Sequence, residues 1–445
     1  MTITKYISGG YCLLLLCSCS VQQKIGKIAG RDLFSNPVVS IAHTGISIYD
    51  PLTSQYIYDC QGDKYFVPAS NTKIITCYTA MKYLKHILPG IRYYENDTAI
   101  YLSPTGDPSL LHRDFKQQPV ISFLQRQKKN IYISQRNWKD KPLGPGWSWD
   151  DYNGYYMTER NALPVYGNTI RWVQERVANA QGSADSSASV YSDPEINWKV
   201  KFDAGIAADR FDVVRERDDN IFHISESNEQ YQEIETPFVV KGIASALELL
   251  ADTIGKEIHI AEKFSVFSPE PKVIWSQPVD SLLKPMMYRS DNFFAEQLLL
   301  MASEQRFGVL NSQLIIDSVL KADFPDLPQA PEWVDGSGMS RYNLFSPRDF
   351  IVILDKMSKE FGMDRLKAIF PTGGSGTLRG YYTGDIGYIY AKTGSMSGVA
   401  AISGFLYTKK NRLLIFSALV NNSRGSLTAV RRAVEKFIIE VRKKY

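Results

Sequence analysis

The two ends of the chain carry its clearest secondary-structure patterns. Residues 39–48 and 55–59 alternate apolar and polar side chains on either side of a turn-like segment, which predicts a β-hairpin. Near the C-terminus, three further strands are predicted at 388–391, 399–407 and 412–420, followed by an amphipathic helix after Ser426. The long middle of the chain is weakly patterned. The sequence therefore predicts an α+β core that is assembled from both ends of the chain and interrupted by an inserted region.

The first residues have the pattern of an export signal. One positive charge, Lys5, precedes a short apolar run at 11–17, which is too short to span a bilayer. Leu16-Cys17-Ser18-Cys19 resembles the bacterial lipoprotein signal, in which an aliphatic and a small residue precede the Cys that is lipidated. The sequence predicts a signal peptide at 1–18 and an exported, periplasmic or cell-envelope lipoprotein that is membrane-anchored through Cys19. An ordinary signal peptide cleaved nearby is the alternative.

The composition excludes several classes of function. The 51 Lys and Arg residues against 47 Asp and Glu residues give a net charge of +4, without the clustered basic residues of a nucleic-acid-binding protein. No two of the five His residues lie at metal-ligand spacing, and zinc motifs, phosphate-binding loops and a G-x-S-x-G elbow are missing from the sequence. We therefore expect no metal, no cofactor and no nucleic-acid partner. Cys60 and Cys77, which lie outside the signal, are either bridged or free thiols.

Ser70-Asn71-Thr72-Lys73 opens a helix that is predicted at 71–86. Residues three apart share a helix face, so the Lys73 amine can reach the Ser70 hydroxyl. A Ser hydroxyl is a poor nucleophile until a neighbour takes its proton, and a desolvated Lys can do so where no His is present. The helix N-terminus also offers backbone N–H groups that can stabilise an oxyanion.

Two further motifs carry candidate chemistry. Ser290-Asp291-Asn292 precedes an apolar run and, taken alone, is also typical of a helix N-cap. Lys392-Thr393-Gly394-Ser395 ends a predicted strand, where a Lys and a hydroxyl can bind a carboxylate; alternatively it is a solvated strand end. A second S-x-x-K, from Ser281 to Lys284, is interpreted as unrelated, because Pro285 is expected to interrupt its helix.

The three motifs S-x-x-K, S-D-N and K-T-G occur in the order that is typical of penicillin-binding proteins and class A β-lactamases. The chain resembles the D-alanyl-D-alanine carboxypeptidase/endopeptidase family, the class C low-molecular-mass penicillin-binding proteins. Further family-like segments lie at 66–73, 106–110, 145–151, 335–341 and 374–378. Ser290 follows Ser70 by 220 residues, whereas class A β-lactamases place these motifs much closer together.

The resemblance implies a fold and a division into domains. The fold would be a penicillin-binding transpeptidase/β-lactamase-like core, an antiparallel sheet flanked by helices, with two smaller domains inserted between the S-x-x-K and S-x-N motifs. Residues 19–94 and 266–445 would form the catalytic core after the signal peptide at 1–18. Residues 95–265 would form the inserted region, which we expect to contain two small domains.

The resemblance also implies catalytic roles. Ser70 matches the position of the acylated nucleophile, and Lys73 that of its general base. Ser290 and Asn292 match the second catalytic element, in which Ser290 relays a proton to the leaving amine. Lys392 would support this relay electrostatically.

Substrate-binding roles follow in the same way. Thr393, beside Gly394, would hold the terminal carboxylate of D-Ala-D-Ala, and the backbone N–H groups of Ser70 and Ser395 would form the oxyanion hole. Asp151 matches a position in the inserted region that contacts the amino group of a diaminopimelate-type stem peptide. Its alternative role is structural.

The family's activity predicts a serine DD-peptidase that acts on peptidoglycan stem peptides through an acyl-enzyme, as a D-Ala-D-Ala carboxypeptidase, a cross-link endopeptidase or both. β-Lactam antibiotics would inhibit it covalently. One alternative is a β-lactamase or esterase that uses the same nucleophile; it needs fast deacylation, and no carboxylate follows Ser290 in the class A pattern. A second alternative is an inactive cell-wall-binding lipoprotein, although every motif residue is intact.

Overall fold

A computed structural model of the chain describes residues 22–176, 188–203, 210–261 and 270–445. Cys19 and the predicted signal peptide at 1–18 lie outside these residues. Within the described ranges, no helix is both long enough and apolar enough to cross a bilayer. The chain forms two compact units. The first comprises the described residues within Met1–Met81, Leu283–Asp291 and Ile316–Tyr445, and the second those within Lys82–Leu282 and Asn292–Ile315.

The strands, in chain order, are β1 (His43–Asp50), β2 (Gln55–Cys60), β3 (Ile87–Glu95), β4 (Ala99–Pro104), β5 (Asn130–Ile133), β6 (Thr169–Arg176), β7 (Ala188–Asp193), β8 (Lys199–Phe202), β9 (Asp212–Arg215), β10 (Ile221–Ser225), β11 (Tyr231–Pro237), β12 (Ile258–Ile260), β13 (Lys272–Pro278), β14 (Ile389–Met396), β15 (Val399–Tyr407) and β16 (Leu413–Asn421). The helices are α1 (residues 22–29), α2 (Pro37–Ser40), α3 (Lys73–Tyr83), α4 (Pro119–Arg126), α5 (Ala244–Ile254), α6 (Asp280–Tyr288), α7 (Asn292–Phe307), α8 (Ser312–Ala322), α9 (Pro347–Phe361), α10 (Met363–Ile369) and α11 (Leu427–Lys444).

The first unit is built on a five-stranded antiparallel sheet in the order β14-β15-β16-β1-β2. β1 near the N-terminus pairs with β16 near the C-terminus, with Ile46 opposite Ala418. β15 and β16 are buried along almost their whole length, because α9 packs against both strands and α11 packs against β15. This sheet confirms the predicted α+β core that is assembled from both ends of the chain.

The apolar stripe of α11 packs against the sheet and the N-terminal residues. Val434, Phe437 and Ile438 of this helix lie in one buried cluster with Ile46 and Phe416. Burial of each such side chain stabilises the fold by about 1.5–3 kcal/mol. One predicted boundary was wrong: residues 39–42 are not part of β1, because the Asn36 side chain accepts a hydrogen bond from the Val38 N–H and caps the short helix α2.

The second unit contains a five-stranded sheet in the order β12-β5-β4-β3-β13 and two three-stranded sheets, β11-β6-β7 and β8-β10-β9. It includes all described residues of the predicted insertion at 95–265, and it extends on both sides because β3 and β13 pair with each other. The predicted domain limits, and the division of the insertion into two small domains, stay predictions.

Cys60 and Cys77 are both free thiols, which decides between the two alternatives for this pair. Cys77 is buried on α3, whereas Cys60 is partly exposed at the end of β2.

Candidate active site

Ser70 and Lys73 meet at the start of α3. Ser70 lies in the 3₁₀ turn Ala69–Thr72, which leads directly into the helix. Side chains three residues apart lie above one another in such a turn. The Lys73 Nζ donates a hydrogen bond to Ser70 Oγ at 3.0 Å, so the structure brings this predicted pair together.

The backbone of the segment 335–341 contacts Lys73 and the turn that carries Ser70. The buried Lys73 Nζ also donates to the carbonyl oxygen of Ser337, at 2.6 Å. Gly338 has a φ of +79°, and a Cβ there would lie 1.9 Å from the Ala69 carbonyl oxygen, so only glycine permits this approach. Ala69 itself has a φ of +46°, an uncommon conformation for a residue with a side chain. The turn that presents Ser70 is therefore held by its surroundings.

Ser290 and Lys392 form a second hydroxyl and amine pair. The Lys392 Nζ donates to Ser290 Oγ at 2.9 Å and to the Thr393 carbonyl oxygen at 2.5 Å. Lys392 is fully buried on β14, and this burial, together with the charge of Lys73, lowers the pKa of Lys392 well below its usual range. Ser290 lies between α6 and α7 with a φ of +62°, so this residue also adopts a left-handed conformation.

The end of β14 runs beside the turn that carries Ser70. A Cβ on Gly394 would lie 2.6 Å from the Pro68 carbonyl oxygen and 3.0 Å from the Ser70 nitrogen, so a larger residue would push the strand away. On the neighbouring strand, Ser403 pairs with Lys392 in register and accepts a hydrogen bond from Asn71 Nδ2 at 2.7 Å. The turn and the strand are thereby fixed relative to each other.

A cavity of about 320 Å³ opens at this place. Its polar wall includes Ser70, Ser290, Thr393 and Ser395, and its other side is largely apolar. The remaining described lining residues are Thr377, Leu378, Tyr381, Tyr382, Ala400, Ala401, Ile402, Ala418, Arg431 and Val434. The cavity is large enough for one or two amino-acid residues beside the Ser70 hydroxyl.

Arg431 was missed by the sequence reasoning. It lies on α11 and its guanidinium Nη2 donates a hydrogen bond to Ser395 Oγ. The sequence signals only an amphipathic helix at this point, because Arg431 directly follows the buried Val430. Its place in the cavity depends on how α11 packs against the sheet, which no local pattern indicates.

Asn292 and Asp151 belong to the second unit. Asn292 is the first residue of α7, and its Nδ2 donates to the Tyr156 carbonyl oxygen at 2.9 Å. The Tyr156 hydroxyl donates to Asp151 Oδ1 at 3.0 Å, and burial followed by this bond raises the pKa of Tyr156 to about 12. The two predicted residues are thus connected through Tyr156.

The second S-x-x-K differs from the expectation in one respect. α6 contains Pro285 and continues beyond it to Tyr288, so the predicted interruption was wrong. The Ser281 hydroxyl donates to the Pro278 carbonyl oxygen at 2.5 Å, and the Lys284 Nζ lies 5.3 Å from the centre of the Tyr288 ring. Neither side chain belongs to the cavity lining described above.

Comparison with known proteins gives a family match over most of the chain. A model of the family described as D-Ala-D-Ala carboxypeptidase 3 (S13) matches residues 31–442. The D-alanyl-D-alanine carboxypeptidase of Actinomadura sp. (strain R39) is 23% identical over 437 residues, which cover 88% of this chain and 80% of that protein. The D-alanyl-D-alanine carboxypeptidase DacB of Haemophilus influenzae is 30% identical over 162 residues, only 34% of this chain and 34% of the relative.

Solved structures share the fold. Penicillin binding protein 4 of Haemophilus influenzae has a TM-score of 0.72 at 19% identity, covering 94% of this chain and 98% of its own, and its complex with a β-lactam has a TM-score of 0.67 with the same identity and coverage. Bd3459, a predatory peptidoglycan endopeptidase of Bdellovibrio bacteriovorus, has a TM-score of 0.52 at 15% identity, covering 90% of this chain and 93% of its own. These likenesses confirm the predicted penicillin-binding fold class.

Proposed function

The chain belongs to the D-Ala-D-Ala carboxypeptidase 3 (S13) family, and on this premise we propose that it is a serine DD-peptidase with Ser70 as nucleophile. It cleaves the bond that follows a D-Ala residue in peptidoglycan stem peptides. The observation that carries this proposal is the 3.0 Å hydrogen bond from Lys73 Nζ to Ser70 Oγ at the wall of a cavity.

Acylation begins at the Ser70 hydroxyl. Lys73, acting as a neutral amine, takes the hydroxyl proton while Oγ attacks the carbonyl carbon of the penultimate D-Ala. The negative charge that develops on the carbonyl oxygen is stabilised by the backbone N–H groups of Ser70 and Ser395. The close approach of Gly394 to the Ser70 nitrogen supports this assignment, because it holds the two backbone segments side by side.

The leaving amine takes its proton from the Ser290 hydroxyl. Lys392 donates a hydrogen bond to this hydroxyl at 2.9 Å, and its lowered pKa makes the Lys392 ammonium a stronger acid than an ordinary lysine. A proton can therefore pass from Lys392 through Ser290 to the amine as the peptide bond breaks. Water then hydrolyses the ester on Ser70: the water oxygen becomes part of the product carboxylate, and the proton held by Lys73 returns to Ser70 Oγ. Of the two water protons, one restores the Lys392 ammonium and the other leaves to solvent.

The substrate is recognised on both sides of the scissile bond. Thr393, beside Gly394, binds the terminal carboxylate, while Asn292 completes the second catalytic motif. Asp151 binds the amino group of a diaminopimelate-type residue. Membership of the D-Ala-D-Ala carboxypeptidase family supports terminal D-Ala removal, and the likeness to a peptidoglycan endopeptidase supports cross-link cleavage. The likeness to a penicillin binding protein in complex with a β-lactam supports covalent inhibition by β-lactams.

The first test is acylation by benzylpenicillin. Intact-protein mass measurement should show one adduct per chain that persists for minutes or longer, and a D-Ala-D-Ala stem peptide should release D-Ala in a parallel assay. A folded protein that gains no adduct and releases no D-Ala would contradict the proposal. Rapid penicillin turnover without D-Ala release would identify a β-lactamase instead.

A second test separates the two cleavage types. Purified peptidoglycan is digested with the protein, and the soluble products are separated and weighed. Loss of one D-Ala from pentapeptides reports carboxypeptidase activity, and conversion of cross-linked dimers into monomers reports endopeptidase activity. We expect both products from one active site, so Ser70→Ala should remove both together.

We also propose that the protein is exported and anchored to a membrane through a lipid on Cys19. The short apolar run and the lipoprotein-like residues before Cys19 support this. Cells that express the full chain and receive an alkyne-labelled fatty acid should incorporate the label, whereas Cys19→Ala should not. Equal labelling of both proteins would disprove this anchor.

A further inference from the structure

Arg431 brings a positive charge to the cavity that contains Ser70. It is the one charged side chain among the described residues that line this cavity. The side chain is half-buried, and its Nη2 donates a hydrogen bond to Ser395 Oγ. Its guanidinium therefore lies at the end of β14, where the K-T-G motif ends.

The charge of Arg431 has no counterion within the described part of the chain. The adjacent Arg432 pairs with Glu435 at 2.6 Å, but no carboxylate lies within ion-pair distance of Arg431 among the described residues. The first turn of α11 also contains no acidic residue, although the positive end of a helix dipole favours one there. An uncompensated cation beside an apolar wall attracts an anion strongly.

We propose that Arg431 binds the α-carboxylate of the residue on the leaving side of the scissile bond, together with the Thr393 and Ser395 hydroxyls. This inference rests on the proposed DD-peptidase function. In a D-Ala-D-Ala end, only one nitrogen and one Cα separate this carboxylate from the carbonyl that Ser70 attacks. Ser70, Ser395 and Arg431 line one cavity and Arg431 contacts Ser395, so a substrate end bound there faces both the nucleophile and the cation.

The chemistry of the three groups fits a carboxylate. A guanidinium offers two parallel N–H donors to the two oxygens of a carboxylate, and two hydroxyls add further donors at the same end of β14. A substrate that ends in an amide instead of a carboxylate would lose these charge-assisted hydrogen bonds. Arg431 is therefore a specificity-determining residue, which restricts cleavage to leaving residues that keep a free α-carboxylate, in D-Ala-D-Ala ends and in cross-links alike.

The test compares two substrates and two variants. The substrates are a stem peptide that ends in D-Ala-D-Ala and the same peptide with a C-terminal amide. Arg431→Gln should lower kcat/KM for the acid about 10- to 100-fold, mainly through KM, and should change kcat/KM for the amide less than about 2-fold. Arg431→Lys should retain part of the preference, because it keeps the charge but loses the planar donors.

Arg424→Gln is the matched control. Arg424 is exposed in the loop between β16 and α11 and is not among the described residues of the cavity lining. Removal of this charge should leave kcat/KM unchanged for both substrates. Thermal unfolding of each variant confirms that it is folded.

Three outcomes overturn the inference, in distinguishable ways. If Arg431→Gln lowers kcat/KM equally for the acid and the amide, Arg431 only supports Ser395. If Arg431→Gln leaves both kcat/KM values unchanged, Arg431 does not bind the substrate. Wild-type protein that cleaves neither peptide and is not acylated by benzylpenicillin would overturn the proposed function, and this inference with it. A loss confined to the acid, with an active wild type, supports the carboxylate assignment.

Discussion

Replacement of Ser70 by Ala is expected to abolish the benzylpenicillin adduct and to lower D-Ala release roughly 10⁴-fold or more, because no other atom can form the ester with the substrate. Intact-protein mass measurement and single-turnover kinetics report the two losses. The fold should be nearly unaffected: Ser70 is half-buried, and Lys73 keeps its 2.6 Å hydrogen bond to the Ser337 carbonyl oxygen. The free energy of unfolding should change by about 1 kcal/mol or less.

Ser281→Ala provides the control for this experiment. Ser281 opens the second S-x-x-K, and its hydroxyl donates to the Pro278 carbonyl oxygen. This variant should form the adduct at the wild-type rate. If the adduct persists in Ser70→Ala and disappears in Ser281→Ala, the assignment of the nucleophile is wrong.

The sequence patterns predicted the first unit well because its elements are locally encoded. The predicted strands at 399–407 and 412–420 correspond closely to β15 and β16, where buried apolar residues are bounded by turn residues. The limits of the second unit were harder to predict from the sequence. β3 and β13 are more than 170 residues apart in the chain, and their pairing depends on contacts that no local pattern contains.

The site was predictable to the extent that spacing determines it. The i and i+3 positions of Ser70 and Lys73 lie within one turn, so their contact follows from the sequence alone. The other partners come from distant segments. The Ser337 carbonyl is a backbone group without a motif of its own, and Arg431 resembles any arginine beside an amphipathic stripe. Only the packed structure brings them to Lys73 and Ser395.

Replacement of Lys392 by Met is expected to stabilise the protein and at the same time to remove acylation. Lys392 is fully buried, and burial together with the charge of Lys73 lowers its pKa well below the usual range. Folding at neutral pH therefore places a disfavoured charge in the interior or releases a proton. A Met side chain of similar length avoids this cost. We expect the free energy of unfolding near neutral pH to rise by about 1–4 kcal/mol, measured by urea denaturation.

The increase in the free energy of unfolding caused by Lys392→Met should become smaller as the pH rises. The pKa of Lys392 is lowered in the folded protein, whereas in the unfolded chain it is about 10.4. Between these two values the unfolded chain binds more protons, so the wild type becomes more stable as pH rises. Lys392→Met lacks this pH-dependent contribution to stability. Its stability advantage over the wild type should therefore shrink as the pH rises between the two pKa values. Lys409→Met, at an exposed position, should show neither the gain nor the pH dependence.

Acylation by benzylpenicillin should fall about 10³-fold or more in Lys392→Met, because Ser290 loses the donor that supplies its proton. A Met variant that is less stable at every pH would show that the hydrogen bonds to Ser290 and Thr393 outweigh the cost of burial. A gain that does not change with pH would show that Lys392 titrates normally in the folded protein. Increased stability together with lost acylation would mean that the fold tolerates an unfavourable buried amine because proton transfer through Ser290 requires it.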